Sequence, residues 1–292
     1  MTLYANAILG LFTQTSLHAG SGESDNIIDL PIQREAHSAW PVVYGSGVKG
    51  ALRAKAELKF GTEGKDSVDR IFGPDTENAS DHAGSLLVGD ARLVLFPVRS
   101  LTTHYRLVTC PSALKRLARD ALRCGLLTTE PNMPTVADDQ AVISSQTTDL
   151  FLEEYRFKTT TEDLVDWVNL LTNISGDGRK SELETLLTVV SDNSFRHLVS
   201  AATPLRTRIR INQEKGTVAD GALWNEESLS PETLLYTTLS AAPARDGSGW
   251  EPQQILSSVV DELFKPDNYL QLGGNQTTGM GWCEVSVWEV AQ

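Results

Sequence analysis

The sequence predicts an α+β fold in which an antiparallel sheet carries helices on one face. Segments that alternate apolar and polar residues, typical of strands, are interspersed with segments of helical periodicity. Several of the strand-like segments follow one another across turn residues, which favours hairpins over parallel crossovers. With 292 residues, 40% of them hydrophobic, the chain is long enough for one large core or two smaller ones.

The N-terminal part begins with an apolar, partly alternating segment at 3–13, which predicts a strand. A long polar loop at 16–40 follows, and loops of this length in compact domains are usually functional or disordered. A short strand at 42–44 then leads into a predicted helix at 47–59, with Ser46 in the position of its N-cap.

The remaining elements follow from the same periodicities. Strands are predicted at 85–96, 105–109, 150–158, 234–239 and 280–290, and a hairpin at about 206–228. Helices are predicted at 113–124, 161–171, 180–190 and 250–263, the first of them basic and amphipathic.

The charge of the chain is strongly acidic and uneven. A net charge of −13 argues against a free-standing nucleic-acid binder, which usually carries a basic face. However, residues 130–194 hold thirteen acidic residues against four basic ones, whereas residues 101–125 hold five basic residues and one acidic. An RNA-binding surface therefore stays possible, with the acidic residues placed elsewhere.

The cysteines and the apolar segments bear on the compartment. Cys110, Cys124 and Cys283 form neither a CxxC pattern nor an even set, so we expect buried, reduced thiols. No run of about 18 apolar residues and no secretory signal is seen. We therefore expect a cytoplasmic protein with no membrane partner.

Two glycine-rich segments stand near opposite ends of the chain. One is at 18–22 and the other, Leu272-Gly273-Gly274-Asn275-Gln276-Thr277-Thr278-Gly279-Met280-Gly281, is near the C-terminus. Glycine lets the backbone approach a ligand closely, so the pair suggests a backbone-lined site for a long polyanion such as RNA. The second segment has no GK[ST] ending, which argues against nucleotide hydrolysis.

A family resemblance rests on these two segments and on three further ones. The further segments are Asp29-Leu30-Pro31-Ile32-Gln33-Arg34-Glu35, Lys49-Gly50-Ala51-Leu52-Arg53 and the stretch from Gly89-Asp90-Ala91 to Thr109-Cys110-Pro111. The chain resembles the RAMP superfamily of CRISPR RNA-binding proteins. Within it, the chain is similar to the branch of target-cleaving backbone subunits of the Cmr (type III-B) effector complex. The resemblance is dense over about 1–125 and 200–285 and weak between.

The resemblance implies a single RAMP domain over 1–292 with a ferredoxin-like (RNA recognition motif-like) palm from 1–125 and 235–292. It implies an inserted helical segment at 126–199 and a thumb-like β-hairpin at about 206–228. The expected function is to bind guide RNA (crRNA) and cleave complementary target RNA at regular intervals. The expected partners are both RNAs, head-to-tail copies of the chain and other Cmr subunits.

Asp29 is the catalytic candidate, because it aligns with the family position to which cleavage is assigned. Pro31 tends to hold its loop extended, and a carboxylate there could bind hydrated Mg²⁺ or another divalent cation beside a phosphate. The reaction would be in-line attack by the RNA 2′-OH. The structural alternative is that Asp29 caps a turn. His18 and Glu227 are possible auxiliary residues.

The RNA-binding candidates fall on several segments. Lys49 and Arg53 share one helix face beside the helix N-terminus, whose free N–H groups favour phosphate. In the hairpin, arginines could contact the backbone and Trp224 could stack on a base. For all of them an ordinary solvated or structural role is the alternative. The full set is Ser21, Gln33, Arg34, Ser46, Lys49, Arg53, Arg208, Arg210, Trp224, Gly274, Asn275, Thr277 and Thr278.

Two other functions stay open. The chain could be a structural RNA-binding subunit in which Asp29 is inert. It could also be a guide-processing endoribonuclease of the same superfamily, which would use His18.

Overall fold

The computed structural model describes residues 4–24, 27–75, 81–144 and 149–290. Its strands are β1 (Ala5–Thr13), β2 (Val42–Val43), β3 (Leu86–Val88), β4 (Ala91–Ser100), β5 (His104–Thr109), β6 (Gln140–Ile143), β7 (Asp149–Leu152), β8 (Tyr155–Thr161), β9 (Leu187–Val190), β10 (Leu205–Asn212), β11 (Thr217–Glu227), β12 (Leu234–Ala241), β13 (Tyr269–Gln271) and β14 (Trp282–Glu289). Its α-helices are α1 (Gly45–Phe60), α2 (Lys65–Phe72), α3 (Pro111–Arg123), α4 (Val165–Ser175), α5 (Lys180–Leu186), α6 (Asp192–Ala202) and α7 (Pro252–Ser257).

The fold is α+β, as predicted, but its main sheet is mixed. The strand order is β13-β14-β1-β12-β4-β5-β9-β6-β8-β7, with β2 paired to β4 and β3 paired to β12. The pairs β5–β9 and β6–β8 are parallel, so the prediction of a wholly antiparallel sheet is wrong there. The parallel pair β5–β9 is joined by a long crossover that includes α3 and α4, which is the connection that parallel strands need.

Strand β1 is covered on both faces, so the prediction of helices on a single face is also wrong. Leu9 and Leu11 belong to the hydrophobic core that contains residues of α7. Ile8 and Phe12, which point the other way because side chains alternate along a strand, belong to the core formed with α4. The continuous burial of β1 from Ala7 to Thr13 is the consequence of this two-sided packing.

Helix α1 begins earlier than predicted. Its N-cap is Tyr44, and no side chain caps it, so the prediction of Ser46 as N-cap is wrong. Ser46 is the second residue of the helix and is exposed. The free Gly45 N–H donates instead to Asp90 Oδ1 at 2.7 Å. This contact joins residues that are 45 apart, so local sequence could not predict it.

The segment at 126–199 is less helical than predicted. It holds α4, α5 and the first part of α6, but also β6, β7, β8 and β9. The helix predicted at 180–190 ends at Leu186, because Leu187–Val190 is buried in the sheet beside β5. Helix α6 was missed, although Ser191 is its N-cap and its side chain accepts from Ser194 N–H at 3.1 Å.

The three cysteines are free and buried, as expected of structural thiols. Burial raises the pKa of Cys283 to about 12, so this thiol stays neutral. Across the described residues, no helix is both long and apolar enough to cross a membrane.

Candidate functional site

The described residues of the long loop before α1, 16–24 and 27–40, include several that contact the C-terminal end of β11. Leu30 N–H donates to Asn225 O at 3.1 Å, and Glu227 N–H donates to Leu30 O at 3.0 Å. Earlier in the chain, Leu17 pairs with Leu229 in an isolated antiparallel bridge. The loop therefore acts as an extra partner of β11, and three consecutive residues of that strand, 225–227, organise the site.

Asp29 is half-buried and has one oxygen engaged by this strand. Its Oδ2 accepts a hydrogen bond from Asn225 N–H at 2.7 Å, and its own carbonyl accepts from Ser24 N–H at 2.9 Å. Oδ1 has no hydrogen-bond partner among the described residues. The carboxylate is thus anchored through one oxygen, and within the described residues the other oxygen is left for a ligand.

His18 is held by the third residue of the same strand segment. Its Nδ1 lies 2.6 Å from Glu227 O, and since a carbonyl only accepts, Nδ1 carries the proton. In the neutral ring, Nε2 is then the lone-pair nitrogen. Nε2 lies beside Gly20, where an added Cβ would be only 2.9 Å away, so a larger residue at position 20 would crowd this atom.

Buried Glu227 and half-buried Arg34 form a clamp within the protein. Glu227 Oε1 accepts from Arg34 Nη2 at 2.5 Å, and Oε2 accepts from Ile32 N–H at 3.0 Å. Arg34 Nη1 also donates to Ala39 O at 2.9 Å. Both side chains are occupied in holding the loop, an arrangement that favours structural roles over the predicted catalytic and RNA-binding ones.

The clamp gives a stability prediction. We expect Glu227→Ala to destabilise the fold by about 3 kcal/mol, because it leaves Arg34 and the Ile32 N–H without their buried acceptor. Urea unfolding of the chain would measure this loss. Glu214→Ala, at an exposed glutamate near the hairpin turn, is the matched control and should change stability by less than about 0.5 kcal/mol. Equal effects of the two substitutions would contradict the clamp.

The two glycine-rich segments are in direct contact, as their prediction as parts of one site requires. Gly274 N–H donates to His18 O at 2.9 Å, and Gly273 has φ +75° with a Cβ position 2.3 Å from the same oxygen. Asn275 Nδ2 donates to Glu226 Oε1 at 2.9 Å. The loop is therefore bound both to His18 and to β11. Thr277 and Thr278 are exposed on its outer side.

Strands β10 and β11 form the predicted hairpin, a separate two-stranded sheet. Arg208 pairs in register with Trp224 and donates to Glu226 Oε1 at 2.8 Å, so its charge is partly used inside the protein. Arg210 is exposed. Trp224 Nε1 is buried without a partner among the described residues. The opposite face exposes Ile209 and Leu223, which are cross-strand neighbours.

The candidates on α1 differ from one another. Lys49 is half-buried, and its pKa is lowered by burial and then by the neighbouring cations Arg53 and Arg245. Arg53 is taken up by carboxylates, with Glu57 Oε1 and Asp75 Oδ1 each at 2.7 Å, so its predicted RNA contact is not favoured. Arg245 was not found from the sequence, since it lies almost 200 positions away from Lys49.

Gln33 and Ser21 also have partners within the loop region. Gln33 Nε2 donates to Gly20 O at 3.0 Å, and its Oε1 accepts from Tyr44 N–H at 2.8 Å. Ser21 is exposed and its hydroxyl donates to Pro31 O at 3.2 Å. Gln33 therefore ties the glycine-rich segment to the start of α1, and Ser21 stays accessible.

No group of three or more histidine, cysteine, aspartate or glutamate side chains suited to a metal is found in the described part of the chain. A cation at this site would have to share the free Asp29 oxygen with ligands from RNA or water. Mg²⁺ is commonly bound in this way, through one or two carboxylates and substrate phosphates, so the donor set fits such an ion.

Comparison with known proteins identifies the family of this chain. The sequence model of the RAMP superfamily matches residues 11–284, nearly the whole chain. The chain belongs to the RAMP superfamily. This RAMP protein is 35% identical over 289 residues to the CRISPR system Cmr endoribonuclease Cmr4 of Pyrococcus furiosus, covering 97% of this chain and 96% of the relative.

Solved structures agree with the family assignment. The RAMP chain matches the crystal structure of oligomeric Cmr4 from Pyrococcus furiosus with a TM-score of 0.75 and 28% identity, covering 99% of both chains. It also matches a chain in the cryo-EM structure of the type III-B Cmr-β complex bound to cognate target RNA, with a TM-score of 0.77, 22% identity and 98% coverage of both chains. The second match shows the shared fold.

Proposed function

We propose that the chain is the guide-RNA-binding backbone subunit of a type III-B CRISPR ribonucleoprotein and cleaves complementary target RNA at regular intervals. The relative named an endoribonuclease is similar over nearly the entire length, which supports the same activity here. The observation that carries the proposal is the placement of Asp29. One of its oxygens is anchored to β11, the strand that also holds both glycine-rich segments, and the other has no partner among the described residues.

The chemistry is an in-line displacement within the RNA. The 2′-oxygen forms a bond to the adjacent phosphorus, the 5′-oxygen leaves, and the products carry a 2′,3′-cyclic phosphate and a 5′-hydroxyl. The role of Asp29 is to accept the 2′-OH proton, and the departing 5′-oxygen takes its proton from water. A divalent cation such as Mg²⁺, held by Asp29, would supply charge neutralisation at the phosphate.

The guide would bind along surfaces that contact its phosphates and do not recognise its bases. The start of α1 with exposed Ser46 and half-buried Lys49, and the outer side of the Thr277–Thr278 loop, offer hydroxyl and ammonium donors to phosphates. The hairpin with Arg210 and Trp224 would act as a thumb that displaces one nucleotide. Base pairing with the guide would then supply the sequence specificity.

The topology supports the finer architecture as well. Strands β14, β1, β12 and β4 are neighbours in that order, and α1 and α7 connect β1 to β4 and β12 to β14. This is the order of a ferredoxin-like palm, within the single domain at 1–292. Copies stacked head to tail along the guide, with other Cmr subunits at the ends, would repeat the site at a constant spacing.

The test is cleavage of end-labelled RNA by the chain assembled on guide RNA with its partner subunits. We expect evenly spaced products from a complementary RNA in Mg²⁺, and none from a non-complementary RNA or after chelation. Tight binding of the complementary RNA without any cutting would support the inert structural subunit instead. Cutting of the guide precursor alone would support a guide-processing enzyme.

A further inference from the structure

Helix α3 carries a row of exposed cations outside the site described above. Lys115, Arg119 and Arg123 are four residues apart, so they lie along one face of the helix, and all three are exposed. Like charges at this spacing destabilise a helix. We call these three residues the α3 row.

The α3 row has little opposing charge. No ion pair of Lys115 or Arg123 with an acid is found in the described residues, and the nearest acid of Arg119 is Asp120, at 3.8 Å. Arg123 donates to a neutral group, the Thr238 hydroxyl, at 3.2 Å. By contrast, Arg53, on α1, has carboxylate partners at 2.7 Å. In a chain of net charge −13, this leaves a locally cationic surface.

A concave site adjoins the row. A cavity of about 350 Å³ is lined by Arg119 and Arg123 together with Arg92, Asp90 and Asp120. The three arginines that line the cavity outnumber its two aspartates, so the charged side chains that line the cavity include more cations than anions. The attraction of a helix C-terminus for cations explains why Arg123 is stable in the last turn of α3, but it explains neither Arg119 one turn earlier nor a third arginine across the cavity.

Both carboxylates of the cavity are already engaged. Asp120 Oδ2 accepts from the Tyr236 hydroxyl at 2.8 Å and from Arg92 Nη1 at 3.2 Å. Burial, and then the charge of Asp120, raises the pKa of Tyr236, so its hydroxyl stays a neutral donor. Asp90 Oδ1 accepts from Gly45 N–H. The guanidinium groups of Arg119 and Arg123 are therefore available to bind an anion.

The contact of Asp90 with Gly45 also places the cavity next to the start of α1. The cavity that Arg119 and Arg123 line therefore adjoins the helix that carries Ser46 and Lys49. The cations of the row are separated by one helical turn each, a repeat of about 6 Å.

We propose that the α3 row and the Arg92 cavity form a second binding site for the phosphate backbone of the guide RNA, which extends the track that begins at α1. This inference rests on the proposed function, since it takes guide RNA as the ligand. The site contributes affinity and direction of the strand, and it carries no base recognition, because its donors are guanidinium and ammonium groups suited to phosphates.

The test is the salt dependence of binding of fluorescent guide RNA to the full chain. For single strands, log K falls with log salt concentration by about 0.7 per neutralised phosphate, so Arg119→Glu/Arg123→Glu should reduce the slope by about 1.4. We also expect affinity at low salt to fall about tenfold or more. Arg119→Gln/Arg123→Gln, which removes the charges without reversing them, should reduce the slope in the same way and guards against misfolding of the first variant.

The matched control is Lys180→Glu/Arg196→Glu, which changes the net charge equally at two exposed cations on α5 and α6. It should leave the slope unchanged. An unchanged slope in both Arg119/Arg123 variants, while Lys49→Glu weakens binding, would overturn this inference and leave the proposed function intact. Absence of guide binding by the native chain would instead overturn the proposed function. Loss of assembly with an unchanged slope would show that the row binds a neighbouring protein, which also overturns the inference.

Discussion

Asp29→Asn is expected to abolish target cutting while the loop around it stays in place. The amide oxygen of asparagine can accept the Asn225 N–H as the carboxylate does at 2.7 Å, but the side chain carries no negative charge. Loss of the charge removes both the proton acceptor and the cation ligand, so we expect cutting to slow by at least about 10²-fold. Cleavage of labelled complementary RNA in single-turnover conditions measures this.

Asp29→Ala separates the anchoring role from the chemical one. It should lose cutting to the same extent, and it should also expose the Asn225 N–H to solvent, since the acceptor is gone. Amide hydrogen exchange at Asn225 should therefore be faster in Asp29→Ala than in Asp29→Asn. Guide binding is expected to persist in both variants.

The control is Asp163→Asn. Asp163 is an exposed aspartate whose carboxylate likewise accepts a backbone N–H, that of Val165 at 2.9 Å. It lies in the segment before α4, away from β11. Cutting should be unaffected by this change. If Asp29→Asn cuts as fast as the native chain, then the charge of Asp29 has no part in the reaction and the proposed mechanism is wrong.

The sequence predicted the elements whose pattern is local. Strand β1, helix α3 and the β10–β11 hairpin each have a periodicity that a short window reveals. The strand at Leu187–Val190 was not predicted in this way, because the residues before it are good helix formers and its pairing with β5 and β6 makes it a strand. Long-range pairing of this kind is a property of the packed sheet rather than of the segment.

The candidate site likewise has features that the sequence predicts and features that depend on long-range contacts. The glycine-rich segments and Asp29 stand out in the sequence because of their composition and their likeness to the family. The partners that determine what each side chain is free to do are distant in sequence. Arg34 meets Glu227 across 193 positions, and Arg53 meets Asp75 across 22. A basic residue in a motif is therefore a candidate for RNA only once its carboxylate partners are known.

Gly10→Ala is expected to destabilise the fold strongly, through a clash between β1 and α4. An added Cβ at Gly10 would lie 1.6 Å from Ile174 O and 2.4 Å from Ile174 C, both backbone atoms of α4. No rotamer change can relieve a clash with backbone, so α4 must move away from β1. That movement opens the core shared by Ile8, Phe12 and α4. We expect a loss of about 4 kcal/mol in the free energy of unfolding.

Urea denaturation of the two alanine variants Gly10→Ala and Gly50→Ala tests this directly. Gly50 is exposed within α1, and an added Cβ there would have no atom within 4 Å. Because alanine is a better helix former than glycine, Gly50→Ala should raise stability by about 0.5–1 kcal/mol. The two changes are chemically identical, so opposite signs would isolate the packing of α4 on β1. A Gly10→Ala variant as stable as the native chain would mean that α4 does not cover β1 at Gly10, and the two-sided burial of this strand would have to be abandoned.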